Sequence, residues 1–84
     1  MHEVVVYSRK GCHLCEVVKE MLTRLQPRAD FRWREVDIDG DADLRQKFDV
    51  EVPVVFIDGR KAFKYHIEEG QFLRALAGRV PAKP

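Results

Sequence analysis

The sequence predicts an α/β fold. A four-stranded mixed sheet is covered by helices on both faces, in the order β-α-β-α-β-β-α with strand order 2-1-3-4. Three observations carry this reading. Short β-branched or apolar runs at Val4–Ser8, Phe31–Ile38 and Val52–Ile57 alternate with stretches whose apolar residues recur every three or four positions. Two runs, 4–7 and 52–57, are apolar on both faces and belong in the centre; the other two strands are mixed and flank them. The crossover between the first two strands is expected to be right-handed, leaving helices to cover both sheet faces.

The first strand, Val4 to Ser8, feeds a Ser8-Arg9-Lys10-Gly11 turn and then a helix that opens at Cys12. Leu14, Val18, Met21, Leu22 and Leu25 form that helix's buried stripe, and Pro27 ends it. In the second strand Phe31 and Trp33 point one way and Val36 and Ile38 the other, with Arg32, Arg34 and Glu35 interspersed, which suits an edge. The acidic run Asp37 to Asp43 resembles a calcium loop only superficially. Its glycine, Gly40, is in the fourth place instead of the sixth, and Phe48 stands where the closing glutamate belongs. Asp41 or Asp43 is better read as the cap of a short helix, Ala42 to Phe48. Asp58-Gly59 then turns the third strand into a fourth around Lys61 to Lys64. A last helix carries Phe72, Leu73 and Leu76 on one face, Glu68 and Glu69 at its positive end, and Gly78 after its last turn. Residues 1–79 thus form one domain, and 80–84 a short tail.

Composition excludes several functions. The 84 residues are 45% hydrophobic and 35% charged, enough for one core but not two. Fifteen Lys+Arg against fourteen Asp+Glu leave a net charge of +1, without the cationic excess that nucleic acid or an anionic membrane demands. The longest apolar runs, Val4 to Tyr7 and Val54 to Ile57, fall far short of the roughly 20 residues that cross a bilayer. No basic segment followed by an apolar stretch opens the sequence, so the expected compartment is the cytoplasm.

Cys12 and Cys15 are the only cysteines, so no framework of structural disulfides exists and one bridge at most can form. A bridge closing so short a loop removes little unfolded-chain entropy, so redox chemistry explains the spacing better than stability does. Residues three apart at the start of a helix are close enough for reversible closure. At the helix N-terminus unpaired N–H groups and the dipole favour a thiolate, which makes Cys12 the nucleophile and Cys15 the resolving thiol. Arg9, Lys10 and a protonated His13 add positive potential, while Glu16 opposes it.

A strand, then Tyr7-Ser8-Arg9-Lys10-Gly11-Cys12-His13-Leu14-Cys15 opening a helix, then Val52-Pro53 starting a later strand, resembles the thioredoxin-fold superfamily and, within it, small glutaredoxin-like proteins. The similarity runs from Val4 to about Leu76. It implies a three-layer α/β/α thioredoxin-like architecture and a cis peptide bond before Pro53, with Val52 offering backbone groups to a bound thiol partner. It also implies an oxidoreductase without resident cofactor that exchanges disulfides of proteins or small thiols. The electrons would come from glutathione or a thioredoxin-reductase system, and the expected state is a monomer. Arg9 matches the glutaredoxin lysine that can dock glutathione's glycyl carboxylate. Other positions depart from the pattern. His13 and Leu14 replace Pro-Tyr between the cysteines, which changes the redox potential. Counting from Pro53, Phe63 and Lys64 stand where glutaredoxins carry paired glycines, and His66 falls near the following acidic position. Bulky residues there block a close backbone approach, which argues against glutathione use and leaves Lys64 and His66 to shape an anionic or protein partner's site.

Two rival readings remain. A C-x-x-C can be half of a zinc site, but His2, His13 and His66 are the only candidates for further ligands, and His13, between the cysteines, is badly placed to share their metal; an iron-sulfur cluster bridging two subunits is a smaller variant. The other rival is a non-catalytic adaptor whose cysteines act as a redox-sensitive switch.

Overall fold

The computed structural model describes residues 1–78. The elements are β1 (His2–Ser8), α1 (His13–Leu25), β2 (Phe31–Asp37), α2 (Ala42–Phe48), β3 (Val54–Ile57), β4 (Arg60–Lys64) and α3 (Glu69–Gly78). Single 3-10 turns follow α1 at Gln26–Arg28 and β2 at Ile38–Gly40. The sheet order is β2-β1-β3-β4, with β1 and β2 parallel and the other pairs antiparallel. This is the order expected from the apolar character of the strands. The tail at 80–84 lies outside the described residues.

Alternation along the central strands divides the interior in two. Val4 and Val6 of β1, and Val55 and Ile57 of β3, face Val18, Met21, Leu22 and Leu25 of α1 and Phe72 and Leu76 of α3. Phe31 meets Phe72 edge-to-face, with ring centres 5.2 Å apart. On the other face Ile38, Phe48 and Val54 form a smaller core, with Tyr7 packed 4.9 Å from the Phe48 ring and 5.3 Å from Phe56. α2 starts as expected, with the Asp41 carboxylate accepting from the N–H groups of Asp43 and Leu44.

Several boundaries and faces differ from expectation. β1 begins at His2, and β3 begins only at Val54 because Pro53 has no N–H to give a ladder. Leu14 falls on the α1 stripe by angle, yet it sits in the first turn at the end of the sheet and stays 41% exposed; Cys15 is buried there instead. Leu73 lies a residue off the Phe72–Leu76 face and is exposed, and Gly78 belongs to α3 instead of following it. β4 carries a bulge: Val55 pairs with Phe63 but Phe56 with Lys61, leaving Ala62 as an extra residue.

The β3–β4 turn places Asp58 at φ 51° and Gly59 at φ 84°, the paired positive angles that match the twist of a two-residue hairpin. Asp58 is pinned to β1. Its carboxylate accepts from the Glu3 N–H at 2.9 Å and lies 2.6 Å from His2 Nδ1. The Glu3 amide first, and His2 second, hold that carboxyl below its ordinary range.

Candidate active site

Three strand ends and one helix start converge on the cysteines. Tyr7 pairs with Val54, so the segment entering β3, Val52–Pro53, runs beside the loop leaving β1. Lys64 pairs with Val54 from the other side, which brings Tyr65 to Pro53, and the Tyr65 N–H donates to the Pro53 carbonyl at 2.8 Å. The Val52–Pro53 peptide bond is cis, as the resemblance implied. Pro53 is buried, whereas Val52 is half-buried and makes no backbone hydrogen bond among the described residues.

Gly11, at φ 77°, turns the chain into α1, a conformation glycine adopts without steric cost. Cys12 follows as the N-cap, in extended conformation, and is bonded to Cys15 in a disulfide with a Cα–Cα separation of 5.2 Å. The Cys15 N–H donates to Cys12 Sγ at 3.1 Å, and the Glu16 N–H to the Cys12 carbonyl at 3.2 Å. Cys15 is fully buried and Cys12 half-buried. An incoming sulfur can therefore reach Cys12 but not Cys15.

The charged residues nearby are mostly spoken for. Arg9 grips Asp39 with two nitrogens, at 2.8 and 3.3 Å, and Asp49 through a third, at 2.9 Å to its carbonyl and 3.1 Å to its carboxylate. Asp39 foremost, then Asp49, keep the guanidinium pKa above its ordinary value, and Arg9 in turn holds the Asp39 carboxyl down. Arg9 therefore ties the loop after β1 to both flanks of α2. A carboxylate ligand would have to displace this pairing. His13 is exposed between the cysteines, and Lys10 is exposed with no carboxylate partner among the described residues.

A second network lies under the first turns of α1. Lys19 bridges Glu16 at 3.0 Å and Glu35 at 2.9 Å, and Glu35 accepts from the buried Ser8 hydroxyl at 2.5 Å. The Ser8 hydroxyl first, and Lys19 second, hold the Glu35 carboxyl below its ordinary range; Glu35 and then Glu16 hold the Lys19 ammonium above its own. Glu16 thus faces Lys19, which offsets the negative potential expected of it near Cys12.

At the end of β4, Lys64 Nζ stands 5.4 Å from the centre of the Tyr65 ring and 4.0 Å from Glu51. His66 is exposed, and its N–H donates to the Lys64 carbonyl at 2.8 Å, closing a three-residue turn over Tyr65. Tyr65 sits at φ 69°, where a bulky residue is a genuine outlier and the strain is of order 1–3 kcal/mol. The residue with a glycine-like backbone is therefore Tyr65, not Phe63 or Lys64; Phe63 packs against the larger core from β4. Nothing in the local sequence marks this, because tyrosine carries no signal for a left-handed turn. The carboxylates that hold Arg9 were equally hidden, being 30 and 40 positions away.

Of the predicted site residues, the structure gathers Cys12, Cys15, Val52 and Pro53 at one sheet end, with His13 exposed beside them. Lys64 and His66 flank Tyr65 on the neighbouring strand end, and Arg9 is turned to α2. No group of three or more His, Cys, Asp or Glu among the described residues could hold a metal ion.

A cysteine pair that caps a helix fed by a central strand, on the sheet described, defines a thioredoxin-fold protein with a redox-type site. The chain belongs to the family described as glutaredoxin-like domain (DUF836), whose model matches residues 3–77. It is 32% identical over 87 residues to the uncharacterized protein Rv0508 of Mycobacterium tuberculosis, covering 98% of this chain and 90% of the relative. Among solved structures, protein Ne2328 of Nitrosomonas europaea superimposes with a TM-score of 0.74 at 29% identity, covering 90% of this chain and 89% of that one. A mutant of the thioredoxin-like protein BC3987 gives 0.63 at 28% identity, over 86% of this chain and 94% of that one.

Proposed function

We propose that this chain is a dithiol–disulfide oxidoreductase. The observation that carries the reading is the asymmetry of the pair: a half-buried Cys12 at the helix N-cap, accepting the N–H of a fully buried Cys15. In the reduced protein the Cys12 thiolate attacks one sulfur of a substrate disulfide. One substrate sulfur leaves as a thiolate, and a mixed disulfide joins Cys12 to the other. Cys15, once deprotonated, attacks Cys12 Sγ, expels the second substrate thiolate and forms the Cys12–Cys15 disulfide. Two electrons have then passed to the substrate, and an external dithiol or two thiols return them.

The substrates are disulfides of proteins or small thiols, and no resident cofactor takes part. The unpaired backbone of Val52 supports its role in holding a thiol partner beside the cis-proline. Arg9, already paired twice, and the filled β4 end both weigh against glutathione as the preferred reductant, leaving a reductase-coupled dithiol as the better donor. A monomer acting in the cytoplasm completes the reading.

Trapping tests it. Cys15→Ser should accumulate mixed disulfides with substrate, and Cys12→Ser should not; the reverse pattern overturns the assignment. Reduced wild-type protein should also accelerate insulin-disulfide reduction above the rate of dithiothreitol alone, which a mere adaptor would not do. Comparing glutathione with a thioredoxin-reductase system as electron source then tests the choice of donor.

A further inference from the structure

Most of the large apolar side chains left in water lie on segments at the cysteine end of the sheet. Among the described residues they are Met1, Leu14, Val17, Val50, Tyr65 and Leu73. Leu14 and Val17 stand on the first turns of α1 beside the cysteines, Val50 leads into Val52–Pro53, and Tyr65 is bonded to the Pro53 carbonyl. Four of the six thus lie on the segments that meet at the cysteine end of the sheet, on a chain that is 35% charged. Apolar surface rimmed by polar residues marks a binding site.

Tyr65 is the member of this rim that the fold holds at a cost. At φ 69° glycine or asparagine would be less strained, yet the position carries an aromatic ring that is 40% exposed. The hydrogen bond from the Tyr65 N–H to the Pro53 carbonyl fixes the backbone that carries the ring, and Lys64 Nζ lies 5.4 Å from the ring centre.

We propose that Tyr65 determines the substrate specificity of the exchange, its ring forming an apolar platform for a side chain next to the reacting cysteine of an extended polypeptide. The chemistry of the rim selects that occupant. A polypeptide supplies backbone partners for Val52 and apolar side chains for Leu14, Val17 and Tyr65. Glutathione instead brings two carboxylates and an ammonium, and Arg9 is already held by Asp39 and Asp49. The inference rests on the thiol–disulfide reading above.

The experiment measures dithiothreitol-driven reduction of insulin and of a small hydrophilic aliphatic disulfide by wild type, Tyr65→Gly, Tyr65→Asn and Tyr65→Phe. Losing an aromatic anchor at a binding surface typically costs about a factor of ten. The ratio of kcat/KM for insulin to that for the small disulfide should therefore fall about tenfold in Tyr65→Gly and Tyr65→Asn, chiefly through KM. Tyr65→Phe should restore it. Both glycine and asparagine suit the backbone angle, so these variants should fold. Leu73→Ala, at the opposite end of the molecule, controls for loss of exposed apolar surface and should leave the ratio unchanged. An unchanged ratio in Tyr65→Gly, with wild type active on both disulfides, overturns this proposal alone. No exchange by wild type with either disulfide overturns the oxidoreductase reading and this proposal together.

Discussion

The backbone N–H of Cys15 points at Sγ of Cys12, 3.1 Å away. In the reduced protein that donor, with the dipole of α1 behind it, favours the Cys12 thiolate and should hold its pKa below the free-cysteine value of about 8.5. Alkylation of reduced protein by iodoacetamide across pH measures this. Cys12 should react first, with a midpoint below that of free cysteine, while buried Cys15 stays unmodified in the folded state. A midpoint at the free value would remove the electrostatic basis of the mechanism.

Arg9 joins the loop after β1 to Asp39 and Asp49, so its loss removes the cation that both carboxylates share and leaves Asp39 only the more distant field of Arg45. Arg9→Met should lower Tm at low salt, and Arg9→Lys should do so less, because an ammonium cannot reproduce the two-pronged contact. The gap should narrow in 1 M salt, where the screening length falls to about 3 Å. If Arg9→Met instead melts with wild type at low salt but weakens glutathione-driven turnover, Arg9 serves an anionic substrate and not the fold.

The sequence made the strands, their order and the pairing of the two cysteines legible because each rests on local pattern. Val4–Tyr7 and Val54–Ile57 are apolar on both faces wherever they sit, and Asp41 caps α2 within its own turn. What stayed hidden depends on distant partners or on the end of the sheet. Leu14 has the right angle on α1 but is too near the sheet end to be covered. Arg9 reads as a free cation until folding brings Asp39 and Asp49 to it. The bulge at Ala62 moves the unusual backbone angle to Tyr65, a position that counting from Pro53 does not single out.

Glu35 should make stability depend on pH through Ser8. Its carboxyl titrates lower in the folded protein than the usual 4.5, through the Ser8 hydroxyl first and Lys19 second. A depressed folded pKa adds stability that is complete above the unfolded value and is lost as pH falls through the folded one. Ser8→Ala should therefore cost about 1 kcal/mol at pH 7, less than the roughly 1.5–3 kcal/mol of a bond to a charged group because Glu35 is partly exposed. That difference should shrink in acid below the folded pKa. Urea unfolding at the two pH values measures both; an equal loss at each would assign the effect of Ser8 to packing.

Phe72 and Phe31 lock α3 to the β2 side of the sheet, both rings buried and meeting edge-to-face at 5.2 Å. Phe72→Ala empties that position and should cost about 3–5 kcal/mol. In a domain this small each kcal/mol moves Tm by about 4–8 °C, so the variant should melt far below wild type or fail to fold at 37 °C. Phe72→Leu keeps most of the volume and should lose less. The pair lies against the start of β2, whereas the disulfide lies beyond the far end of β1, which runs parallel to it. Phe72→Leu should therefore exchange disulfides at the wild-type rate per folded molecule at 20 °C. A rate loss exceeding the unfolded fraction would show that α3 positions the cysteines and does more than complete the core.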